Sequence, residues 1–226
     1  MNLAANGLLC STGLPLHFPL EFLFQETGPR GPAPIRECVC AMCSARWLCD
    51  APAMFSGACL CGALRYEVQG PVQHLVHCHC SMCRKHHGAP FASIVVAPLK
   101  QLRWLAGESS VKEYASSPGR LRCFCGTCGA VAPTPLGERI LVPAGNLTGD
   151  LSHLEALHLF VASKAPWHVI ADELPQHDAV PSGWNMREVA LPAAVQLEGA
   201  THGSCLCGSV TFSVSGPPSR WLQCHC

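Results

Sequence analysis

Cysteines at short, regular spacings are the residues of this sequence best suited to chemistry. Residues 59–62 read CLCG and residues 125–129 read CGTCG, so each group pairs two cysteines with a trailing glycine. The glycine lets the backbone turn so that amide N–H groups can point at sulfur. Two such pairs supply the four thiolates of a tetrahedral zinc site that has no open position. The spacing therefore predicts a structural zinc on Cys59, Cys61, Cys125 and Cys128.

A third group has three cysteines and no obvious fourth ligand. Residues 78–83 read CHCSMC and offer the thiols of Cys78, Cys80 and Cys83. Three protein ligands with one exchangeable position is the arrangement of a catalytic zinc. A metal of this kind holds a water or a substrate thiol and keeps the thiol ionised near neutral pH. The spacing predicts an open zinc site here.

Spacing alone leaves a second arrangement of this third group open. Cys123 or one nearby histidine would close the site, and its zinc would then be structural as well. The histidines close to it in sequence are His77, His79, His86 and His87. The neighbouring Arg84 and Lys85 either meet a carboxylate of a substrate or remain solvated surface charges.

The chain repeats part of itself. Residues 57–80 and residues 203–226 share CLCG, an alternating strand, Gly-Pro and CHC without a gap, displaced by 146 residues. We interpret this as a tandem duplication whose second copy is a truncated domain start. Its four thiols either gather around one further zinc or belong to an incomplete domain, which is the interpretation we favour. They are Cys205, Cys207, Cys224 and Cys226.

Short strands must position these cysteines. Alternating or β-branched runs such as ALRYEV, FASIVVAP, RLRCF and RILVPAG are separated by turn residues every ten or so positions. No stretch keeps a helical stripe for three turns, although GDLSHLEAL favours one short helix. The pattern predicts an all-β domain.

The repeat and the composition together predict the domain boundaries. We expect a complete domain at 54–181, a linker at 182–202 and the truncated start of a second domain at 203–226. Residues 1–53 are rich in Gly and Pro with little alternation, so we expect a poorly ordered extension, with Met54 as the more natural start. The motif ECVCAMC in this extension repeats the cysteine spacing without a paired group, and we interpret it as coincidence or as opportunistic metal binding. Its cysteines are Cys38, Cys40 and Cys43.

Composition and charge limit the possible partners and the compartment. The chain carries 15 basic and 15 acidic residues, so it lacks the positive footprint of a nucleic-acid binder. The first basic residue is Arg30, and no apolar run reaches the ~18 residues of a membrane span. We therefore predict a cytoplasmic protein with no nucleic-acid or membrane partner. Its 17 cysteines would be reduced, and the clustered ones would bind metal.

Taken together, these motifs resemble the glutathione-dependent formaldehyde-activating enzyme family, which also includes the centromere-protein-V-like domains. The similarity runs in order from Phe55 to Pro181 through FSGACLCGALRYEV, HCHCSMCRKHHGAPFAS, FCGTCG, VPAGNL and HLFVASKAPWHVIADELPQHD. The resemblance implies a small zinc-bound β fold of the Mss4-like kind. It also implies two zinc ions in the complete domain, a structural one on Cys59, Cys61, Cys125 and Cys128 and a catalytic one on Cys78, Cys80 and Cys83. Lys164 and Trp167 fit the family pattern as pocket residues.

The resemblance also implies an activity. The founding reaction of the family is of the carbon–sulfur lyase type and condenses formaldehyde with glutathione to S-hydroxymethylglutathione. Its partners would be a glutathione-like thiol and an aldehyde. Either the thiol ionises at the open zinc position and attacks the aldehyde carbon, or the metal polarises the aldehyde oxygen and the thiolate comes from outside. Because function does not always follow fold, two alternatives are another small-molecule zinc enzyme and a non-catalytic binding module.

Overall fold

The computed structural model describes residues 55–182, 184, 201–216, 220, 222 and 224 in full, and the backbone alone at 37–39, 46–48 and 200. The chain divides into two compact units, Met1–Cys49 and Asp50–Cys226. In the first unit, strands β1 (Glu37–Val39) and β2 (Arg46–Leu48) pair antiparallel. The rest of the predicted extension lies outside the described residues, as do most of the predicted linker and Cys226.

Strands dominate the second unit. In chain order they are β3 (Phe55–Ala58), β4 (Arg65–Val68), β5 (His74–Cys78), β6 (Ala92–Pro98), β7 (Leu102–Ala106), β8 (Val111–Ser117), β9 (Arg120–Cys125), β10 (Thr134–Leu136), β11 (Arg139–Pro143), β12 (Leu147–Thr148), β13 (Glu155–Leu159), β14 (Gln176–His177), β15 (Ala200–Ser204) and β16 (Thr211–Ser215). The described residues contain one α-helix, α1 (Ser81–His87). Short 3-10 turns lie at Leu99–Gln101, Glu108–Ser110, Ala144–Asn146 and Val161–Ser163. The prediction of an all-β fold with short strands is confirmed.

Two sheets form the body of this unit. The larger has the order β10-β11-β6-β5-β13-β14, in which β13 runs parallel to both β5 and β14. The smaller has the order β12-β3-β4-β7 and is antiparallel throughout. Strands β8 and β9 form a separate hairpin, and so do β15 and β16. Among the described residues, no helix has the length and apolar character needed to cross a bilayer.

The short helix favoured by GDLSHLEAL is not formed. The Leu154 N–H donates to the carbonyl of Leu151 in a turn, and the chain then enters β13 at Glu155. Parallel pairing of β13 with β5 gives this backbone its hydrogen bonds, which a two-turn helix would supply only in part. Tertiary pairing therefore overrides the local pattern.

Apolar side chains from both sheets meet in one core. Tyr66 and Val68 of β4 are buried, as are Val95 of β6 and Val142 of β11, and all four belong to one cluster. The Tyr66 ring packs edge-on against Trp104 with centroids 5.5 Å apart. It also lies directly over Gly57, where an added Cβ would be 2.3 Å from a ring carbon. Gly57 therefore permits the close approach of β3 and β4.

Candidate metal centres and substrate pocket

The first cysteine group gathers at one end of the small sheet. The sulfurs of all four members lie within 4.8 Å of one another; they are Cys59, Cys61, Cys125 and Cys128. The Sγ atoms of Cys59 and Cys61 are 3.5 Å apart, and those of Cys61 and Cys125 are 3.9 Å apart. A tetrahedron with Zn–S bonds of ~2.3 Å has edges of about 3.8 Å. The donor set and its spacing fit zinc with no position left for a substrate.

Two tight backbone turns present these sulfurs. The Leu64 N–H donates to Cys59 Sγ at 3.2 Å, and the Thr127 N–H donates to Cys125 Sγ at 3.4 Å. Gly62 and Gly129 close the turns with φ of 74° and 73°, the left-handed region that glycine adopts without strain. Backbone hydrogen bonds with Ala130 and then Cys61 lower the pKa of the Cys128 thiol to about 6. The backbone thus favours the thiolate of Cys128. The pKa of Cys61 is instead raised to about 11, because the backbone hydrogen bond with Ala63 is outweighed by hydrogen bonds with Cys59 and Cys128.

Cys123 does not join either metal group. It is fully buried in the cluster beneath the first group, and its N–H donates to Thr134 Oγ1 at 3.2 Å. The arrangement in which Cys123 closes the second site is therefore not the one that the structure shows. Burial raises the pKa of its thiol, as expected for a packed cysteine that stays protonated.

The second cysteine group forms where β5 meets α1. Cys78 ends β5, Cys80 is the N-cap of α1, and Cys83 lies in its first turn. Their sulfurs lie within 4.8 Å of one another, and all three residues are buried. The Cys83 N–H donates to Cys80 Sγ at 3.4 Å, so a ligand thiol also caps the helix. The strand-to-helix turn therefore fixes the positions of all three sulfurs.

Electrostatics at this group favour a bound cation. Hydrogen bonds with Cys78 and Cys80, and then the Arg122 guanidinium, hold the pKa of Cys83 well below its usual range. Hydrogen bonds with Cys80 and Cys83 raise the pKa of Cys78 well above it. The three crowded thiols therefore do not all ionise by themselves, because burial and a neighbouring thiolate oppose further negative charge. A divalent ion relieves their mutual repulsion and ionises all three, which fits a zinc site.

No histidine among the described residues completes this group. His77 Nδ1 is hydrogen-bonded to Ser93 Oγ at 3.0 Å, and His79 Nε2 to His158 Nδ1 at 2.8 Å. Neither these residues nor His86 and His87 lie within the cluster of three sulfurs. In the part of the chain that the structure describes, the group therefore keeps one coordination position free of protein ligands.

A pocket opens beside these three cysteines. Apolar side chains such as Leu141, Leu159 and Phe160 form most of its wall. Its other lining residues are Val76, Cys78, Cys80, Met82, Cys83, His86, His87, Ile94, Val96, Ser117, Arg120, Leu121, Arg122, Val131, Ala132, Thr134, Pro135, Leu136, Arg139, Pro143 and Trp184. None of the described lining residues is Asp or Glu, and three are arginines. The lining of the pocket is therefore mostly apolar and carries three positive side chains.

The three arginines and Trp184 could not be recognised as pocket residues from the sequence. Alternation along β9 puts Arg120 and Arg122 on one face, but only the fold shows that this face borders the cysteine group. Trp184 comes from the predicted linker. Its ring is tilted by 53° against that of His74, with centroids 5.4 Å apart, and lies beneath Arg139, whose guanidinium carbon is 5.8 Å from the ring centroid. No local signal in the linker indicates that contact.

The basic residues next to the motif have other contacts. Arg84 Nε donates to the carbonyl of His79 at 3.2 Å, and Lys85 Nζ donates to the carbonyl of Ser204 at 3.2 Å. Lys164 Nζ donates to the carbonyl of His168 at 2.7 Å, and Trp167 is half exposed. None of Arg84, Lys85, Lys164 and Trp167 lines this pocket. The expectation that Lys164 and Trp167 are pocket residues is therefore not met here.

A buried histidine chain supports the turn that carries the ligands. Asp172 Oδ1 accepts from His158 Nε2 at 3.1 Å, and this assigns the ring proton of His158 to Nε2. His158 Nδ1 then accepts from His79 Nε2 at 2.8 Å. His79 stands between Cys78 and Cys80 in sequence and is fully buried. These hydrogen bonds therefore orient the backbone from which two of the three thiols project.

Comparisons with known proteins match the same region. A family model described as glutathione-dependent formaldehyde-activating enzyme matches residues 54–163, which include every cysteine of both groups. A crystal structure of a protein from Rhodobacter sphaeroides is 28% identical, with 43% of this chain and 91% of that chain covered and a TM-score of 0.37.

Proposed function

The chain belongs, through residues 54–163, to the glutathione-dependent formaldehyde-activating enzyme family, and we propose on that premise that it is a zinc-dependent carbon–sulfur lyase. The reaction joins the sulfur of a glutathione-like thiol to the carbon of an aldehyde such as formaldehyde. The S–C bond forms, the C=O π bond opens, and the thiol proton is transferred to the oxygen. The observation that carries the proposal is a group of three buried thiols, open on one side, in the wall of a pocket.

Charge around the cysteine group supports a thiolate substrate. Zinc on Cys78, Cys80 and Cys83 would supply the Lewis acidity that ionises a thiol at the remaining position. Arg122 Nη1 donates to Cys83 Sγ at 3.6 Å. Its positive charge offsets part of the charge of three thiolates and so favours the approach of a further anionic sulfur. Arg122 is thus a positioning residue for the ligand set.

The arginines that line the pocket suit a thiol that carries carboxylates. Arg120 and Arg139 both line the pocket, and guanidinium groups bind carboxylates through two parallel hydrogen bonds. Glutathione has two carboxylates at its ends and its thiol between them. The described lining has no carboxylate of its own that would repel these groups. The pocket therefore favours an anionic thiol of this class over a neutral one.

Two polar atoms of residues that line the pocket are buried without a partner among the described residues. Ser117 Oγ and His86 Nε2 are inaccessible to solvent, have no hydrogen-bond partner among the described residues, and belong to residues that line the pocket. Burial, and then the charges of His87 and Arg122, lower the pKa of His86 to about 4, so its ring is neutral at pH 7. A buried polar group without a partner is costly, and a bound ligand would relieve that cost. Because neither atom is accessible to solvent, either would hydrogen-bond the product hydroxyl only after its side chain turned toward the pocket.

Replacing Arg139 by alanine tests the anionic-thiol assignment. We expect Arg139→Ala to raise the KM for glutathione about 10- to 100-fold, because a hydrogen bond to a charged group contributes roughly 1.5–3 kcal/mol. The kcat and the zinc content should stay near the wild-type values, since Arg139 is no metal ligand. The measurement is steady-state kinetics with glutathione and with a neutral thiol, 2-mercaptoethanol, whose rate should not change.

Arg103→Ala is the matched control for this experiment. Arg103 pairs with Glu67, with Nη2 and Oε2 2.6 Å apart, and does not line the pocket. The substitution Arg103→Ala removes the same positive charge outside the pocket lining and should leave the KM for glutathione unaltered. An equal loss of affinity for glutathione in both variants, or equal effects of Arg139→Ala on the two thiols, would contradict the assignment of Arg139 to the carboxylate.

A further inference from the structure

The ring of Trp184 lies near the start of β5, whereas the open cysteine group lies at the end of that strand. The centroid of the Trp184 ring is 5.4 Å from that of His74, the first residue of β5, and Cys78 is the last. Residues two apart on a strand share a face, so His74, Val76 and Cys78 point to the same side of the sheet. At ~3.3 Å per residue, His74 and Cys78 are about 13 Å apart along the strand. Trp184 and the cysteines therefore mark two ends of one pocket wall.

Strand pairing places the rest of this wall beside Trp184. Val96 of β6 pairs with His74 on one side and with Leu141 of β11 on the other. Val96, Leu141 and Trp184 all line the pocket, and all three pack against the apolar cluster around the open cysteine group. The Trp184 N–H also donates to the carbonyl of Pro181 at 3.1 Å in a turn. These contacts hold the indole in the pocket wall.

The indole carries the guanidinium of Arg139 on its face. The guanidinium carbon is 5.8 Å from the ring centroid, within the ~6 Å of a cation–π contact. The ion pairs among the described residues use other cations, so no carboxylate in that part of the chain neutralises Arg139. A guanidinium stacked on an aromatic ring keeps its N–H donors in its own plane for a carboxylate. Trp184 thus holds a positive charge at the end of the wall that is far from the cysteines.

The separation of these two ends suits the length of a peptide thiol. In extended glutathione the two end carboxylates lie about 7 and 10 Å from the sulfur, whereas the carboxylate of free cysteine lies about 4 Å from its sulfur. A glutathione thiol at the cysteine group therefore brings an end carboxylate toward Arg139, and the carboxylate of cysteine falls short. Charge alone does not distinguish these two thiols, but the position of the guanidinium does.

We propose that Trp184 is a positioning residue that holds the Arg139 guanidinium where an end carboxylate of a peptide thiol arrives, and that it makes the site selective for peptide thiols over short ones. The inference rests on the proposed function, since it concerns the thiol of that reaction. Without the indole, the Arg139 side chain samples more rotamers, and ordering it on binding reduces the affinity for the thiol. Trp184 lies beyond residues 54–163, which the family model matches.

Equilibrium binding of two thiols to the zinc-loaded full chain tests this role without turnover. Anaerobic calorimetric titration, with no aldehyde present, gives the dissociation constants for glutathione and for cysteine. We expect Trp184→Leu to raise the constant for glutathione about three- to tenfold and to leave that for cysteine unchanged. Trp184→Phe keeps an aromatic face and should recover most of the loss. In the Arg139→Ala background, Trp184→Leu should change the constant less than about twofold, because the stacked partner is gone.

Trp167→Leu is the matched control, because Trp167 is half exposed and does not line the pocket. It should leave both dissociation constants unchanged. Equal effects of Trp184→Leu on the two thiols, or an undiminished effect in the Arg139→Ala background, would overturn the proposal. Should Trp184→Leu melt at a clearly lower temperature, Trp184→Met also removes the aromatic face, with a flexible apolar side chain, and the same comparison is made with it.

These readouts separate the role of Trp184 from the lyase proposal. A wild-type protein that accelerates adduct exchange, while Trp184→Leu binds glutathione as tightly as the wild type, would refute the role of Trp184 alone. A wild-type protein that does not accelerate the exchange, but loses glutathione affinity selectively in Trp184→Leu, would refute the lyase reaction and support the role of Trp184 in thiol binding.

Discussion

Cys59→Ser should prevent the domain from folding into a stable, zinc-bound form. Its sulfur is one corner of the four-thiolate group, and that group joins the turn between β3 and β4 to the turn after β9. Structural zinc contributes an apparent ~10–16 kcal/mol in small zinc domains. That exceeds or equals the ~5–15 kcal/mol by which typical domains are stable. We expect loss of the structural zinc and of a cooperative thermal transition.

The measurement is zinc content together with thermal unfolding followed by circular dichroism. Cys123→Ala is the matched control, because Cys123 is buried in the same cluster but belongs to neither metal group. Removing its sulfur should cost on the order of 1 kcal/mol and leave the metal content unchanged. If Cys59→Ser keeps the wild-type zinc content and melting temperature, the group is not a structural zinc site.

Cys80→Ser should abolish catalysis and leave the fold in place. Cys80 is a member of the open three-thiolate group, and its Sγ also accepts the Cys83 N–H as the N-cap of α1. A serine hydroxyl caps helices well, so the helix start is preserved while the metal ligand is lost. We expect one zinc fewer per chain, a similar melting temperature and a rate no higher than the spontaneous reaction.

Met82→Leu serves as the control for a change at the same turn. Met82 is buried beside the three cysteines and lines the pocket, but its side chain is not in the metal group. A volume-conserving swap should cost less than about 1.5 kcal/mol and keep the zinc. Collapse of the fold in Cys80→Ser would show that this group is structural, and retained turnover would show that it is not catalytic.

The cysteine groups were predictable because ligand spacing is a local property. Short turns such as Cys59-Leu-Cys61-Gly62 fix the distance between two sulfurs whatever the rest of the fold does. The alternating runs likewise predicted short strands, which the structure confirms. Cys61 and Cys125 are far apart in sequence, yet their Sγ atoms lie 3.9 Å apart. This contact could be predicted only because zinc requires four ligands.

The pocket and its support were not predictable in the same way. Arg120, Arg139 and Trp184 come from separate segments, and their meeting depends on which strands pair. The parallel placement of β13 beside β5 brings His158 to His79, yet nothing in either segment specifies a parallel partner. The favoured helix before β13 failed for the same reason, since long-range pairing decided the conformation.

The most direct test of the central claim is the rate at which glutathione and formaldehyde interconvert with their adduct. The reaction also proceeds unaided, so only a rate distinguishes an enzyme from a protein that merely binds the thiol. NMR exchange spectroscopy at equilibrium, with the zinc-loaded full chain at catalytic concentration, measures that rate. We predict exchange that is faster than the spontaneous rate in proportion to the protein concentration, and no such acceleration with Cys80→Ser. Exchange at the spontaneous rate with fully zinc-loaded wild-type protein would contradict the proposed reaction.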